Sequence, residues 1–281
     1  MKSKYLIFVF SSCYDKWDEI DKLICNSEVD ILKVKKNIQL SNVGKFNLIK
    51  NIYANEEWLG VESNNYDGLY YKLNSCFAGS NDKVNIYSVF AKEETILNIK
   101  NTVRKMCNIG NHSIHTTDKD EDIDNLEKSY FNDNTINYLN IIKDINQSNF
   151  LYLFQKLEKF FRDNILDKNK ICISGSSVLS IYNLRDCYDI DYFLLGDKII
   201  SKIDDKIECY NDYFLKNNFD DSLNINIEEI FSNENYYFYY NGFKVMKLDI
   251  LKRMKELRNE EKDIKDIALI DKVILNEYYK N

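Results

Sequence analysis

The sequence predicts an α/β (α+β) fold in two domains, residues 1–145 and 146–281. Short apolar runs alternate with segments of helical spacing along most of the chain. Its 281 residues suffice for two cores of ordinary size. A composition of 44% hydrophobic residues, with 21 Tyr and 16 Phe, excludes a disordered chain.

In the first domain, KYLIFVF (4–10) is expected as a strand and DKWDEIDKLI (15–24) as an amphipathic helix. A helix over 47–59 and a strand over 83–90 follow. In 92–107, Ile96, Ile99, Val103 and Met106 recur at helical spacing. The second domain opens on a helix over 148–166, with Leu151, Leu153, Phe154, Leu157, Phe160 and Phe161 apolar. Then come a strand (170–174), a helix (176–184), a strand (189–195), a helical segment (205–216), two strands (223–231 and 236–246) and a helical region from Asp249. Proline is absent, where a chain of this length ordinarily carries about 14, so element boundaries must be read from Gly, Asn and Asp.

The net charge of -7 supplies no general positive field for a polyanion, which favours a small substrate. The seven cysteines are odd in number, scattered and without a C-x-x-C pair, against a disulfide framework or a thiolate zinc site. The basic start before a short apolar run lacks a small-residue cleavage site. It is too short to span a membrane and reads as a first strand of a cytoplasmic protein.

The chemistry concentrates in ICISGSSVLSIYNLRDCYDIDYFLL (171–195). Side chains alternate along a strand, so Asp189 and Asp191 face one way. Two neighbouring carboxylates repel unless a cation lies between them, and Mg²⁺ or Mn²⁺ with oxygen ligands meets that need. Gly175, Ser176 and Ser177 precede an expected helix N-terminus, where free N–H groups and hydroxyls suit a phosphate. Read blandly, either aspartate is a solvated strand end.

A Gly-Ser turn, a helix and an Asp-x-Asp strand, with twelve residues between Ser176 and Asp189, resemble the DNA polymerase β-like nucleotidyltransferase superfamily. The likeness is close over 171–195 and looser over 146–281. The tail FKVMKLDILKRMKELRNEEKDIKDIALI (243–270), with Lys255, Arg258, Lys262, Asp263 and Asp266, is similar to that of minimal and toxin-type members. The resemblance implies a mixed sheet flanked by helices and a metal-dependent transfer of a nucleoside monophosphate from NTP to an acceptor. It implies Gly175 and Ser176 at the triphosphate, Asp189 and Asp191 on the metal, and Lys255 and Lys262 near phosphate. Arg185 either touches phosphate or pairs with Asp186. For the family's third carboxylate, expected on a later strand, Glu228 leads, with Glu229 and Asp249 as rivals. Most other charges of 252–265 read as a solvated helix face.

His112 and His115, the chain's two histidines, precede a helix expected to start at Thr117 or Asp118, with Asp118 and Glu121 at capping-box spacing. They are candidates for anion binding or acid–base catalysis, for metal ligation with Asp118 or Asp120, or for plain turn residues. The string G-x-H-S-x-H, with IYANEEWLG upstream, resembles N-terminal domains fused to nucleotidyltransferase-like domains in bacterial surface-polysaccharide clusters and large viruses. That implies a sugar- or polyol-phosphate-like acceptor. Alternatives are a toxin-like transferase that modifies tRNA or a protein, and a non-catalytic nucleotide-binding module.

Overall fold

The computed structural model describes residues 1–79, 81–118, 122–196 and 202–278. Both halves of the chain combine helices with a sheet, as the α/β reading requires. The chain divides into two compact units, residues 1–131 with 139–143 and residues 132–138 with 144–281. The boundary expected near 145 is thus the last of three crossings.

The first unit is built on β1 (Ser3–Phe10), whose residues from Leu6 to Phe10 are all buried. A 3₁₀ turn (Ser11–Lys16) leads into α1 (Trp17–Cys25), then β2 (Val29–Gln39), α2 (Asn42–Ile52), α3 (Asp67–Cys76), β3 (Lys83–Ala91) and α4 (Glu93–Cys107). After a 3₁₀ turn at Gly110–His112 come β4 (Ile114–Thr116) and α5 (Ile123–Phe131). The sheet order is β2-β3-β1-β4, antiparallel throughout. On one face, Trp17, Ile20 and Ile24 of α1 and Ile96, Ile99 and Val103 of α4 pack against Ile7, Val9 and Val89. The helix expected over 47–59 lies earlier, because the Ser41 side chain caps α2 at the Gly44 N–H (3.0 Å) and regular helix ends at Ile52.

The second unit takes in most of α6 (Asp133–Leu139). Next come α7 (Ser148–Asp163), β5 (Ile171–Ser174), α8 (Ser176–Ile181), β6 (Ile190–Leu194), β7 (Lys202–Asp204) and β8 (Ile207–Cys209). The chain continues through α9 (Asn211–Lys216), α10 (Phe219–Leu223), α11 (Ile227–Ser232), β9 (Tyr237–Tyr240), β10 (Phe243–Met246), α12 (Leu248–Arg258) and α13 (Glu261–Tyr278). The sheet order β7-β8-β6-β5-β10-β9 is mixed: β5 with β10 and β6 with β8 run parallel, the other pairs antiparallel. One face of α7, carrying Phe150, Leu153, Phe154, Leu157 and Phe161, is buried.

Three expectations are corrected. Residues 223–231 form helix rather than strand: the alternation of Leu223, Ile225 and Ile227 is overridden by Asn224 in a left-handed conformation and by a capping box between Asn226 and Glu229. Residues 236–246 are two strands, folded back at Asn241-Gly242, both with positive φ as a tight hairpin turn demands. Residues 205–216 contain β8 before the helix begins at Asn211.

Candidate active site

β5 ends at Ser174, and the chain turns at Gly175 (φ 63°, ψ -147°) straight into α8. The turn comes so close to β6 that a Cβ on Gly175 would lie 2.3 Å from Oδ2 of Asp191, which rules out any larger residue without displacement. Asp191 is registered with Ser174 on β5 and, on the other side, with Glu208 on β8. Asp189 stands just before the first residue of β6. Ser176 Oγ lies 3.5 Å from Asp189 Oδ1, at the outer limit of a hydrogen bond.

Gly175, Ser176, Asp189 and Asp191 line a cleft of about 300 Å³ together with Arg185, Tyr188, Tyr210, Phe219, Leu251, Met254, Lys255, Arg258, Lys262 and Asp266; Glu208 is exposed and outside that lining. The lining combines the acidic groups beside the Gly175 turn with Phe219, Leu251 and Met254, apolar surface suited to a flat ring.

Burial pushes the Asp191 carboxyl up to about 6, and the charge of Asp189 acts in the same direction. Arg258 opposes this, Glu208 adds to it and Lys255 opposes it. The carboxylates are thus crowded enough to favour a proton or a cation among them.

The cleft also borders a buried ion network. Arg185 grips Asp266 with two hydrogen bonds, Nε to Oδ1 at 2.6 Å and Nη2 to Oδ2 at 2.7 Å. Lys255 Nζ bridges Asp266 (2.7 Å) and Asp263 (3.2 Å), and Arg258 holds Asp263 through Nε (2.8 Å) and Nη2 (2.6 Å). Burial works against ionisation of Asp263, but the hydrogen bonds from Arg258 and the Glu260 N–H, with the Lys255 charge, take it down to about 2. Asp266 is likewise depressed, burial being outweighed by Arg185 and Lys255. The network ties the last two helices to the loop before β6 and keeps three basic groups beside the carboxylates.

Seven expected site residues meet in this cleft: Gly175, Ser176, Arg185, Asp189, Asp191, Lys255 and Lys262. Other expectations are corrected. The Ser177 side chain is buried and donates to the Ser174 carbonyl (2.6 Å), so it faces away from a phosphate. Arg185 has Asp266 as its charge partner and touches only the backbone carbonyl of Asp186. The Asp186 carboxylate instead accepts from the N–H groups of Asn149 and Phe150 in the first turn of α7. Lys255, expected near phosphate, is buried and held by two aspartates, so it positions the site rather than offering a free ammonium; of the charges expected on a solvated helix face, Asp263 is instead fully buried against Arg258.

Glu228 is exposed on α11 and does not line the cleft. Glu229 is used in its capping box, and Asp249 pairs with Lys247 (3.3 Å). The carboxylate beside Asp191 is Glu208, which sequence reasoning missed. Its signal was the short alternation around Asp204-Asp205-Lys206.

His112 and His115 belong to the first unit. His115 is buried on β4, its ring 4.7 Å from that of Tyr53 and 6.1 Å from that of Phe8. The helix beyond them starts at Ile123, with Asp122 Oδ1 accepting from the Asn125 N–H (3.1 Å). Thr117 is not its cap: its hydroxyl accepts from the Leu6 N–H (2.9 Å). Asp120 and Glu121 lie outside the described residues.

Among the described residues, no three His, Cys, Asp or Glu side chains are grouped to hold a metal ion by themselves, and no helix is long and apolar enough to cross a membrane. The chain matches no protein-family model and no curated protein sequence. The donor set nevertheless fits a hard divalent cation. Asp189 and Asp191 offer oxygen ligands at the Gly175 cradle, and Mg²⁺ typically takes one or two carboxylates and fills its shell with water and phosphate oxygens.

Proposed function

We propose that the second unit is a Mg²⁺-dependent nucleotidyltransferase that moves a nucleoside monophosphate from an NTP to a small hydroxylated or phosphorylated acceptor. The observation that carries this reading is the meeting of the Gly175-Ser176 turn, Asp189 and Asp191 in one cleft, with Arg258 and Lys262 also in its lining. Asp189 and Asp191 would hold the cation, which when bound supplies charge neutralisation along the triphosphate.

The chain's own groups have distinct tasks. The Gly175 turn brings backbone close to the phosphates, Arg258 and Lys262 face the charge that develops on the leaving pyrophosphate, and the apolar surface receives the base. The acceptor oxygen bonds to the α-phosphorus as the bond from that phosphorus to the α–β bridging oxygen breaks. Pyrophosphate leaves, and the proton of a hydroxyl acceptor passes to the carboxylate of Glu208, which stands level with Asp191.

The likeness of the first unit to domains of surface-polysaccharide clusters points to a sugar- or polyol-phosphate acceptor and cytoplasmic action. A net charge of -7 favours such an acceptor over tRNA. Glu208, level with Asp191 on the neighbouring strand, is the candidate for the later-strand carboxylate, and it supports the catalytic reading over a non-catalytic module.

Isothermal titration with ATP, CTP, GTP and UTP in the presence of Mg²⁺ tests the reading. One or more should bind the wild-type chain and none the Asp189→Asn, Asp191→Asn variant. Equal binding by the two proteins would remove the metal-site assignment.

A further inference from the structure

The first unit contains a cluster of basic side chains around Lys72 that has no carboxylate partner for that lysine among the described residues. Lys72 of α3 is 4% exposed, and its ammonium donates to the Asn111 carbonyl (2.6 Å) and lies 5.1 Å from the Tyr53 ring. Its charged neighbours are Arg104 and Lys100 of α4 and His112. Burial holds the Lys72 ammonium below the usual lysine range, and the charges of Arg104 and Lys100 push the same way while Cys76 opposes them. His112 is lowered by burial and by Lys72.

A second observation converges on the same place. Four buried side-chain polar atoms are left without a hydrogen-bond partner among the described residues, and three are Ser11 Oγ, Arg104 Nε and His112 Nδ1. Ser11 opens the turn whose next residue, Ser12, donates to the His112 carbonyl (2.7 Å). Arg104, with Gly110, borders an open cleft of about 420 Å³, and His112 is partly exposed, so these two members of the cluster reach solvent. Leaving such groups unpaired costs free energy, and so does an uncompensated buried ammonium. Water could satisfy the donors but brings no charge; an oxyanion supplies both.

We propose that Lys72, Arg104 and His112, with Ser11, form an oxyanion site in the first unit that takes the phosphate group of a small phosphorylated metabolite. Two protons of the Lys72 ammonium, the Arg104 guanidinium, His112 Nδ1 and the Ser11 hydroxyl can all donate, which suits the several acceptor oxygens of a phosphate. The half-exposed rings of Tyr71, 5.9 Å from that of His112, and of Trp58, 5.2 Å from that of Tyr53, flank the cluster and offer surface to the rest of the ligand. The inference goes beyond the nucleotidyltransferase reading and survives its failure.

The test uses the full chain without divalent cation, and the comparison with Lys72→Met separates phosphate held in the first unit from any held in the second. Inorganic phosphate, at ionic strength matched with chloride, should raise the melting temperature progressively and broaden the phosphorus NMR line. Lys72→Met should weaken phosphate binding by about tenfold or more. It should also leave the phosphate-free melting temperature no lower, because it removes an uncompensated buried charge. A purely structural Lys72 would instead give a less stable variant that binds phosphate like its parent.

Arg104→Gln, on a partly exposed side chain, should also weaken phosphate binding and serves if Lys72→Met does not fold. The proposal is overturned if the parent shows no response to phosphate, if both substitutions leave the response intact, or if acetate protects as well as phosphate.

Discussion

Asp191 and Glu208 stand level with each other on parallel neighbouring strands, brought into register by two elements only five and three residues long. Paired residues of adjacent strands project to the same face, and the Glu208 charge helps hold the Asp191 carboxyl above its ordinary range. The charge that acts on Asp191 therefore comes from across the sheet as well as from its own Asp-x-Asp motif.

If Glu208 takes part in proton transfer from the acceptor, Glu208→Gln should lower turnover on the order of 10²-fold or more while NTP affinity changes little. Glu228→Gln, on an exposed helix, should leave both unchanged. Steady-state pyrophosphate release beside titration of the nucleotide separates the two. Parity between the substitutions would remove Glu208 from the reaction.

The Asp191 carboxyl titrates near 6 in the fold against 3.8 when unperturbed. Between those values the folded state binds more protons than the unfolded state, so metal-free stability should fall as pH rises from about 4 to about 6 and then level off. The change is at most ~3 kcal/mol, less for partial exposure. Denaturant melts of Asp191→Asn should lack that slope and lie above the wild type at neutral pH.

Gly175→Ala places a Cβ where Asp191 Oδ2 now lies, at a φ of 63° that L residues disfavour. A loss of about 2 kcal/mol or more is expected, together with loss of NTP binding, because the turn or the carboxylate must move. Denaturant melts and titration of the same sample would check both; an unchanged affinity would mean that the close approach does not matter to the ligand.

Asp263 is fully buried between Arg258 and Lys255, so Asp263→Ala should cost about 3 kcal/mol by leaving the buried Lys255 and the partly buried Arg258 each short of a partner. Chemical denaturation is the measurement. Asp271→Ala, which breaks the more exposed pair with Lys252 (2.7 Å), should cost under about 1 kcal/mol.

The sequence was most informative where order is local. The strand, Gly-Ser turn, short helix and second strand occupy one continuous stretch that periodicity and turn chemistry predict, with Asp191 on the strand and Asp189 just before it rather than at its first position. It was least informative where short segments meet through the sheet. A three-residue strand such as β8 carries too little alternation to be read, so Glu208 went unnoticed. The run Leu223-Asn-Ile-Asn-Ile had clear alternation and still misled, since asparagine side chains and left-handed backbone decided the structure there. Of ten non-glycine residues with positive φ among those described, Asn37, Asn65, Asn108, Asn183, Asn218, Asn224, Asn241 and Asn259 are asparagine. In a chain without proline, asparagine is the main punctuation. Lys72 shows the remaining gap: one lysine in an ordinary helix gives no sign that it is buried with no carboxylate partner among the described residues.

The short helix α6 has a practical consequence for taking the protein apart. Thr135 Oγ1 accepts from the Tyr239 N–H (2.8 Å), and the Tyr138 ring stacks on Phe238 at 4.8 Å, so residues that precede 145 cover the edge strand β9. A fragment cut at 145 would bare that edge and its aromatic surface, inviting self-association. One starting at about residue 132 keeps them covered, and is the natural piece to graft, crystallise or exchange between chimaeras.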